Sequence, residues 1–244
     1  MVKTTIMSKL IQGLIIISLF ISNLSLAQSP LKLSVYTGSG VSSFSGAGST
    51  GHSKFYRNGL TFPNAVDTVG NHFGSQSAPC FIAGLQLERS LSKSWTLIVS
   101  AQYEHIGSRL KVDSVINPGG NFKTNGTYTA FNDFISINPQ IGRTFSFGKM
   151  ALIVHGGFDY AFRLSMSDQF DFTDPSGKKN SIGHGGGRPE VNDFRLTAGG
   201  TFSLNKWSLG LNYKHGLSNY KADGNGEVFS RMLHIKLQYR ILKL

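Results

Sequence analysis

Eight segments of this chain alternate apolar and polar residues with a period of two, and the gaps between them alternate long and short. Such alternation puts successive side chains on opposite faces of a strand. Trp95, Leu97, Val99, Ala101 and Tyr103 share one parity, against Thr96, Ser100, Gln102 and Glu104, with Ile98 as the exception. Trp207, Leu209, Leu211 and Tyr213 stand against Ser208, Gly210, Asn212 and Lys214. Leu233, Ile235, Leu237, Tyr239 and Ile241 stand against His234, Lys236, Gln238 and Arg240. The predicted strands cover 31–40, 79–90, 94–108, 128–145, 149–163, 193–203, 206–216 and 229–241. Pro139 cannot donate to a ladder, and marks an expected bulge in the fourth of them.

The gaps run long, short, long, short, long, short, long, so every short turn falls at one end of the sheet. An even strand count with short periplasmic turns and longer external loops is the pattern of outer-membrane barrels. A soluble sandwich has no reason to sort its loops in this way. The expected fold class is all-β: an eight-stranded antiparallel up-and-down transmembrane β-barrel with long external loops and short periplasmic turns.

Composition agrees. Charged residues make up 15%, where a soluble domain carries roughly 25%. Aromatics at 11% exclude a disordered chain. Cys80 is the only cysteine, which excludes an intramolecular disulfide and a Cys-based zinc site. The formal charge of +11 is dispersed without a polybasic block, so no nucleic-acid partner is expected.

The beginning of the chain sets the expected compartment. Lys3 and Lys9 precede an apolar run, strongest over Leu14–Ile21, that ends in Ser25-Leu26-Ala27. This is the layout of a secretory signal peptide, with Ser25 and Ala27 at −3 and −1 of the cleavage site. The expected division is a cleaved signal peptide over 1–27 and a barrel over 28–244, located in the outer membrane after export. The longest other apolar runs are of the size of Ala151-Leu152-Ile153-Val154, too short for a membrane helix.

The apolar parity carries Trp95, Phe202, Trp207 and Tyr239 near the short turns, and Tyr103, Tyr160 and Tyr213 near the long loops. Two aromatic belts bounding an apolar band fit the membrane interfaces of a barrel wall. The other parity holds Lys32, Glu88, Glu104, Asp159, Arg163, Arg195, Lys214, Lys236 and Arg240, which are expected to face the lumen. Eight strands leave an interior that side chains fill. Buried charges need partners, so a plugged lumen is expected rather than an open pore.

At this point the chain resembles a family, the PorT-like outer-membrane β-barrels common in Bacteroidota, over nearly all of residues 28–244. Ala83-Gly84-Leu85-Gln86-Leu87 through Leu91-Ser92-Lys93-Ser94-Trp95-Thr96-Leu97 resembles the family's first hairpin. Gln102-Tyr103-Glu104-His105-Ile106-Gly107-Ser108 is similar to its segment of aromatic, polar pair and Gly. Phe134-Ile135-Ser136-Ile137-Asn138-Pro139 resembles its Ile-Pro strand, which would make Pro139 a family feature. Tyr213-Lys214-His215-Gly216-Leu217-Ser218-Asn219 resembles its Tyr-x-x-Gly-Leu-Thr-Asn segment. The ending departs, with Tyr239-Arg240-Ile241 in place of the usual final Phe. The resemblance implies a location more than an activity, and allows a part in a secretion or envelope-assembly machine.

Candidate chemistry is sparse. Gly46-Ala47-Gly48-Ser49-Thr50-Gly51-His52-Ser53 nearly spells a phosphate loop, but His52 replaces the required Lys and no helical pattern follows. His215 and Ser218 are like the His/Ser pair of outer-membrane lipid A deacylases, yet a spacing of three sends them to opposite faces. The seven histidines are scattered; His155 and His234 are expected as hydrogen-bonded polar groups in the lumen. Gly183-His184-Gly185-Gly186-Gly187-Arg188 reads as a mobile loop. No catalytic residues, cofactor or metal are expected. The reading is a monomeric outer-membrane barrel with a structural or surface-interaction role. Its partners would be membrane lipid and envelope or surface proteins at the long loops. The alternatives are a lipid-modifying barrel enzyme and a soluble exported barrel that binds a small apolar ligand.

Overall fold

The computed structural model describes residues 30–57, 68–116, 120–187, 192–221 and 226–243. The expected signal peptide and Arg188 lie outside the described residues. The strands are β1 (Leu31–Ser45), β2 (His52–Tyr56), β3 (Thr68–Val69), β4 (Gln76–Ser90), β5 (Trp95–Ile116) and β6 (Phe122–Phe147). They continue with β7 (Met150–Thr173), β8 (Lys179–Gly187), β9 (Asp193–Leu204), β10 (Trp207–Gly216) and β11 (Phe229–Lys243). Eight of them, β1, β4, β5, β6, β7, β9, β10 and β11, pair antiparallel in chain order, and β1 closes the ring on β11. The fold is the all-β, eight-stranded up-and-down barrel that the alternation predicts.

The three connections at one end are tight. Asn205 (φ 56°) and Gly148 (φ 62°) take the left-handed conformation that two-residue hairpin turns require. The β4–β5 turn is held by the Leu91 N–H donating to the Trp95 carbonyl at 2.8 Å. Pro139 makes no bulge: it stays in register with Val99 of β5, and only the pairing toward β7 is interrupted beside it.

The polar parity of the ring strands points inward. Gln86, Ser100, Gln102, Asn138, Thr201 and Gln238 are buried, whereas Leu85, Ile137, Leu209, Leu211 and Ile235 are exposed. Ile98, the exception to its strand's alternation, is buried in the interior. This distribution inverts that of a soluble domain, where large apolar side chains are the ones most often buried.

The loop end departs from the sequence expectation. β5 and β6 run well past the predicted 94–108 and 128–145, so the expected long connection shrinks to residues 117–121. β7 likewise passes 163 to reach Thr173. The segment 183–187, expected as a mobile loop, belongs to β8, which pairs antiparallel with the end of β7. The phosphate-loop-like segment is a turn at Gly46 (φ 106°) leading into β2, which pairs parallel with β5.

These extensions form an open sheet, β3-β2-β5-β6-β7-β8, above the ring. One face of it holds a second apolar core of Phe55, Leu110, Val112, Tyr128, Phe170 and Phe172. Phe55 stacks on Phe170 with ring centroids 4.2 Å apart. Phe134 pairs with Arg163 and Asp133 with Ser165, which leaves Leu164 without a partner, a one-residue bulge in β7. The bulge switches the inward parity of β7 from odd to even, and so turns Phe170 and Phe172 into the second core. Burial first, and Asp168 beside it, push the Tyr128 hydroxyl well above its ordinary range; it donates to Asp168 Oδ2 at 2.9 Å.

Candidate functional site in the barrel interior

Inward parity on β5, β7, β9 and β10 brings Glu104, Asp159, Arg195 and Lys214 together at mid-barrel. The Arg195 guanidinium donates through Nη2 to Glu104 Oε2 at 2.6 Å and through Nε to Asp159 Oδ2 at 2.6 Å. Lys214 Nζ donates to Glu104 Oε1 at 2.5 Å and to Asp159 Oδ1 at 2.8 Å. Each cation thus bridges both carboxylates, and the four charges sum to zero. All four residues are at most 2% exposed, so the attraction acts with little screening.

Neutral side chains fill the remaining lone pairs. Ser136 donates to Glu104 at 3.0 Å and Asn138 to Asp159 at 3.1 Å. Gln102 donates to Glu104 and receives the Tyr36 hydroxyl. Gly199 makes room on the β9 side: a Cβ there would lie 2.5 Å from Asn212 Oδ1 and 2.9 Å from His155 Cε1. His155 contacts Thr201 Oγ1 through Nε2 at 3.1 Å, and His234 is buried.

The other charged residues of the inward parity sit apart. Lys236 donates to Gln86 at 2.7 Å and lies over the Tyr36 ring. Glu88 accepts from Gln86 and Gln238, with Lys32 at 3.8 Å. Arg163 lies over the rings of Phe134 and Tyr220. Arg240 stands at the short-turn mouth and donates to the Asn205 carbonyl at 2.7 Å. An apolar cluster of Tyr36, Phe44, Ile82, Phe134, Tyr220 and Met232 is also buried inside the ring, with Ile82 and Phe134 in register with Glu104.

On the outside, Trp95, Phe202 and Trp207 are exposed beside the short turns, with Tyr239 packed against Trp207 at 4.8 Å. Tyr103, Tyr160 and Tyr213 are exposed toward the loop end.

Sequence reasoning missed Asp193. It accepts from Tyr220 at 2.8 Å and Ser230 at 2.5 Å, and lies 3.8 Å from Arg195. Its position two residues before Arg195 carried the signal. It also missed a cluster on the outer face at the level of Tyr103. There Asp133 accepts from Tyr103 at 2.6 Å and Ser165 at 2.5 Å, and contacts His105 Nδ1 at 2.8 Å. Three strands meet in it, so no linear spacing announces it. His105 and Ser165 each bond the carboxylate rather than one another, which is not the arrangement of a nucleophile and its base. Of the other His/Ser pair, Ser218 accepts the Phe194 N–H at 2.9 Å and His215 contacts the Tyr213 hydroxyl at 3.3 Å. Among the described residues no three His, Cys, Asp or Glu side chains form a metal-binding group.

No protein-family model matches the chain, and no curated protein sequence matches it. Solved structures do. Ail, the attachment invasion locus protein of Yersinia pestis, crystallised with the heparin analogue sucrose octasulfate, is 12% identical, covering 87% of this chain and 100% of its own at a TM-score of 0.31. Neisserial surface protein A is 10% identical, covering 86% and 97% at 0.36. The outer membrane enzyme PagL is 14% identical, covering 83% and 97% at 0.35. Likeness at this level carries no statement about what this chain binds or does.

Proposed function

We propose that this protein is an integral outer-membrane barrel with a structural or surface-interaction role and a lumen closed to solutes. The observation that carries the reading is a closed ring whose outer wall is predominantly apolar, with residues such as Leu85, Ile137, Leu209, Leu211 and Ile235 exposed on it. Soluble monomers rarely expose apolar patches larger than a few hundred Å², whereas lipid requires such a wall. From Trp95 to Tyr103 the wall rises about 27 Å along the strand at ~3.4 Å per residue. A tilt near 40° makes that about 20 Å of height, close to the ~25 Å band of outer-membrane barrels. A soluble barrel holding an apolar ligand needs the opposite facing. The resemblance of segment order to PorT-like barrels supports the same compartment, and with it a place beside envelope-assembly components.

Cell fractionation tests the location. The protein is expected to resist salt and alkali, to dissolve in detergent, and to migrate faster on gels before boiling than after. A soluble periplasmic pool with unchanged mobility would reject the reading.

Closure of the lumen has its own readout. The buried Glu104–Asp159–Arg195–Lys214 cluster and the apolar cluster around Phe134, whose ring lies under Arg195, support closure by filling the interior together. In planar bilayers the purified protein is expected to show no steady porin-like conductance; large, stable single-channel steps would overturn the closed-lumen reading.

A further inference from the structure

The chain's positive charge is distributed unevenly. At the short-turn end Lys32, Lys149, Lys206 and Arg240 line a cavity of about 310 Å³ that opens through the mouth of the ring. Arg89, Lys93, Arg143 and Lys243 stand on the same rim, at the ends of β4, β5, β6 and β11. Among the described residues Glu88 is the one carboxylate at this end; the others lie at mid-barrel or toward the loops. Cations crowded at one mouth repel each other and focus a positive potential into the cavity they surround.

The lining is mixed. The four cations share it with one carboxylate, Glu88, and with Ser and Thr hydroxyls. Gln238, 2% exposed, also lines the cavity; its Nε2 donates to Glu88, and its Oε1 accepts no hydrogen bond within the protein. The Arg240 guanidinium is braced by the Asn205 carbonyl at 2.7 Å, and Lys32 has Glu88 at 3.8 Å. This combination calls for a ligand with several negative charges and with hydrogen-bond donors. Inorganic phosphate carries both as well, as P–O− and P–OH, but on one compact group rather than spread along the cavity. A peptide with closely spaced carboxylates supplies both, because its backbone N–H groups can meet the Gln238 oxygen and the hydroxyls. Membrane headgroups, outside the ring, do not reach the interior of the mouth.

We propose that the short-turn mouth is a docking site for an acidic peptide segment of a periplasmic partner. Recognition of acidic motifs by clustered cations is an established mode. The proposal rests on the reading above that the short turns face the periplasm.

The test uses the full-length mature protein in zwitterionic detergent, with a fluorescein-labelled peptide of alternating Glu and Ser as probe. Saturable binding that weakens steadily with salt is expected. The variant Lys32→Gln/Lys149→Gln/Lys206→Gln/Arg240→Gln is expected to lose about tenfold or more in affinity, while keeping its heat-dependent gel shift. The control Lys178→Gln/Lys179→Gln, at the opposite end, is expected to bind as the wild type does. Equal affinity of the quadruple variant and wild type would overturn the proposal. Inorganic pyrophosphate binding as tightly as the peptide would overturn the peptide assignment in favour of a compact phosphate. Orientation is read separately, by labelling Lys149→Cys in a Cys80→Ala background on intact cells with a membrane-impermeant maleimide. Protection is expected. Labelling would overturn the periplasmic placement while leaving peptide binding in detergent as measured.

Discussion

Replacing Arg195 by Met is expected to destabilise the barrel by about 3–5 kcal/mol, the cost of stranding buried charge by removing one partner. Arg195 bridges Glu104 and Asp159 and lies near Asp193. Without it Lys214 alone faces Glu104 and Asp159, in a place where neither carboxylate reaches water. The measurement is the urea midpoint of the heat-dependent gel shift in lipid vesicles. A compensated pair, Arg195→Met with Asp159→Asn, is expected to recover much of the loss, since it leaves Lys214 paired with Glu104 and restores charge balance with a near-isosteric amide. If the single variant unfolds at the wild-type midpoint, the network contributes nothing to stability and the mid-barrel charges are not held as described.

Leu209→Arg is expected to cost about 2–4 kcal/mol in a bilayer, the penalty for a cation on the lipid face near the midplane. Leu209 is 55% exposed on the outer wall, between Trp207 at the short-turn edge and Tyr213 at the loop edge. Asn125→Arg puts the same charge on the outer face of β6 above the belt, where the wall is already polar, and is expected to stay within about 0.5 kcal/mol of wild type. The comparison isolates depth from charge. Equal effects at the two sites would mean that the belt does not meet lipid. Asn212, on the inward face of the same strand, does not serve as the tolerant control. It is 3% exposed and packed beside Gly199, so an added guanidinium there meets both steric and electrostatic resistance.

The ring was legible in the sequence because an apolar outer face and a polar interior impose one phase of alternation on every ring strand. The extensions were illegible because that phase inverts above the belt. On β5 the apolar parity is odd through Tyr103 and even from Ile106 through Leu110 to Val112, while Arg109, Lys111 and Asp113 turn outward. A pattern followed at constant phase therefore stops at the inversion, which is where the predicted strands ended. On β7 the bulge at Leu164 breaks the register as well. β8, rich in glycine, carries almost no alternation at all. The interior charges could be assigned to a face by parity, but their pairing depends on the stagger of strands around the ring, which no local pattern encodes. Glu104 and Lys214 are 110 residues apart in the chain and 2.5 Å apart in space.

Pairing of β1 with β11 joins the first and last strands, setting Val35 opposite Tyr239 and Val41 opposite Leu233. For a membrane barrel, that seam bears on the order of events in biogenesis. Until β11 exists, the growing sheet has two raw edges whose peptide groups have no partner, and hydrocarbon offers none. On the proposed outer-membrane reading, a half-made wall is disfavoured in the bilayer, which couples insertion to closure of the β1–β11 seam. On that same reading, a chain that reaches the membrane through water carries its wall residues uncovered until the seam forms, and its survival on the way depends on being held apart from its own copies.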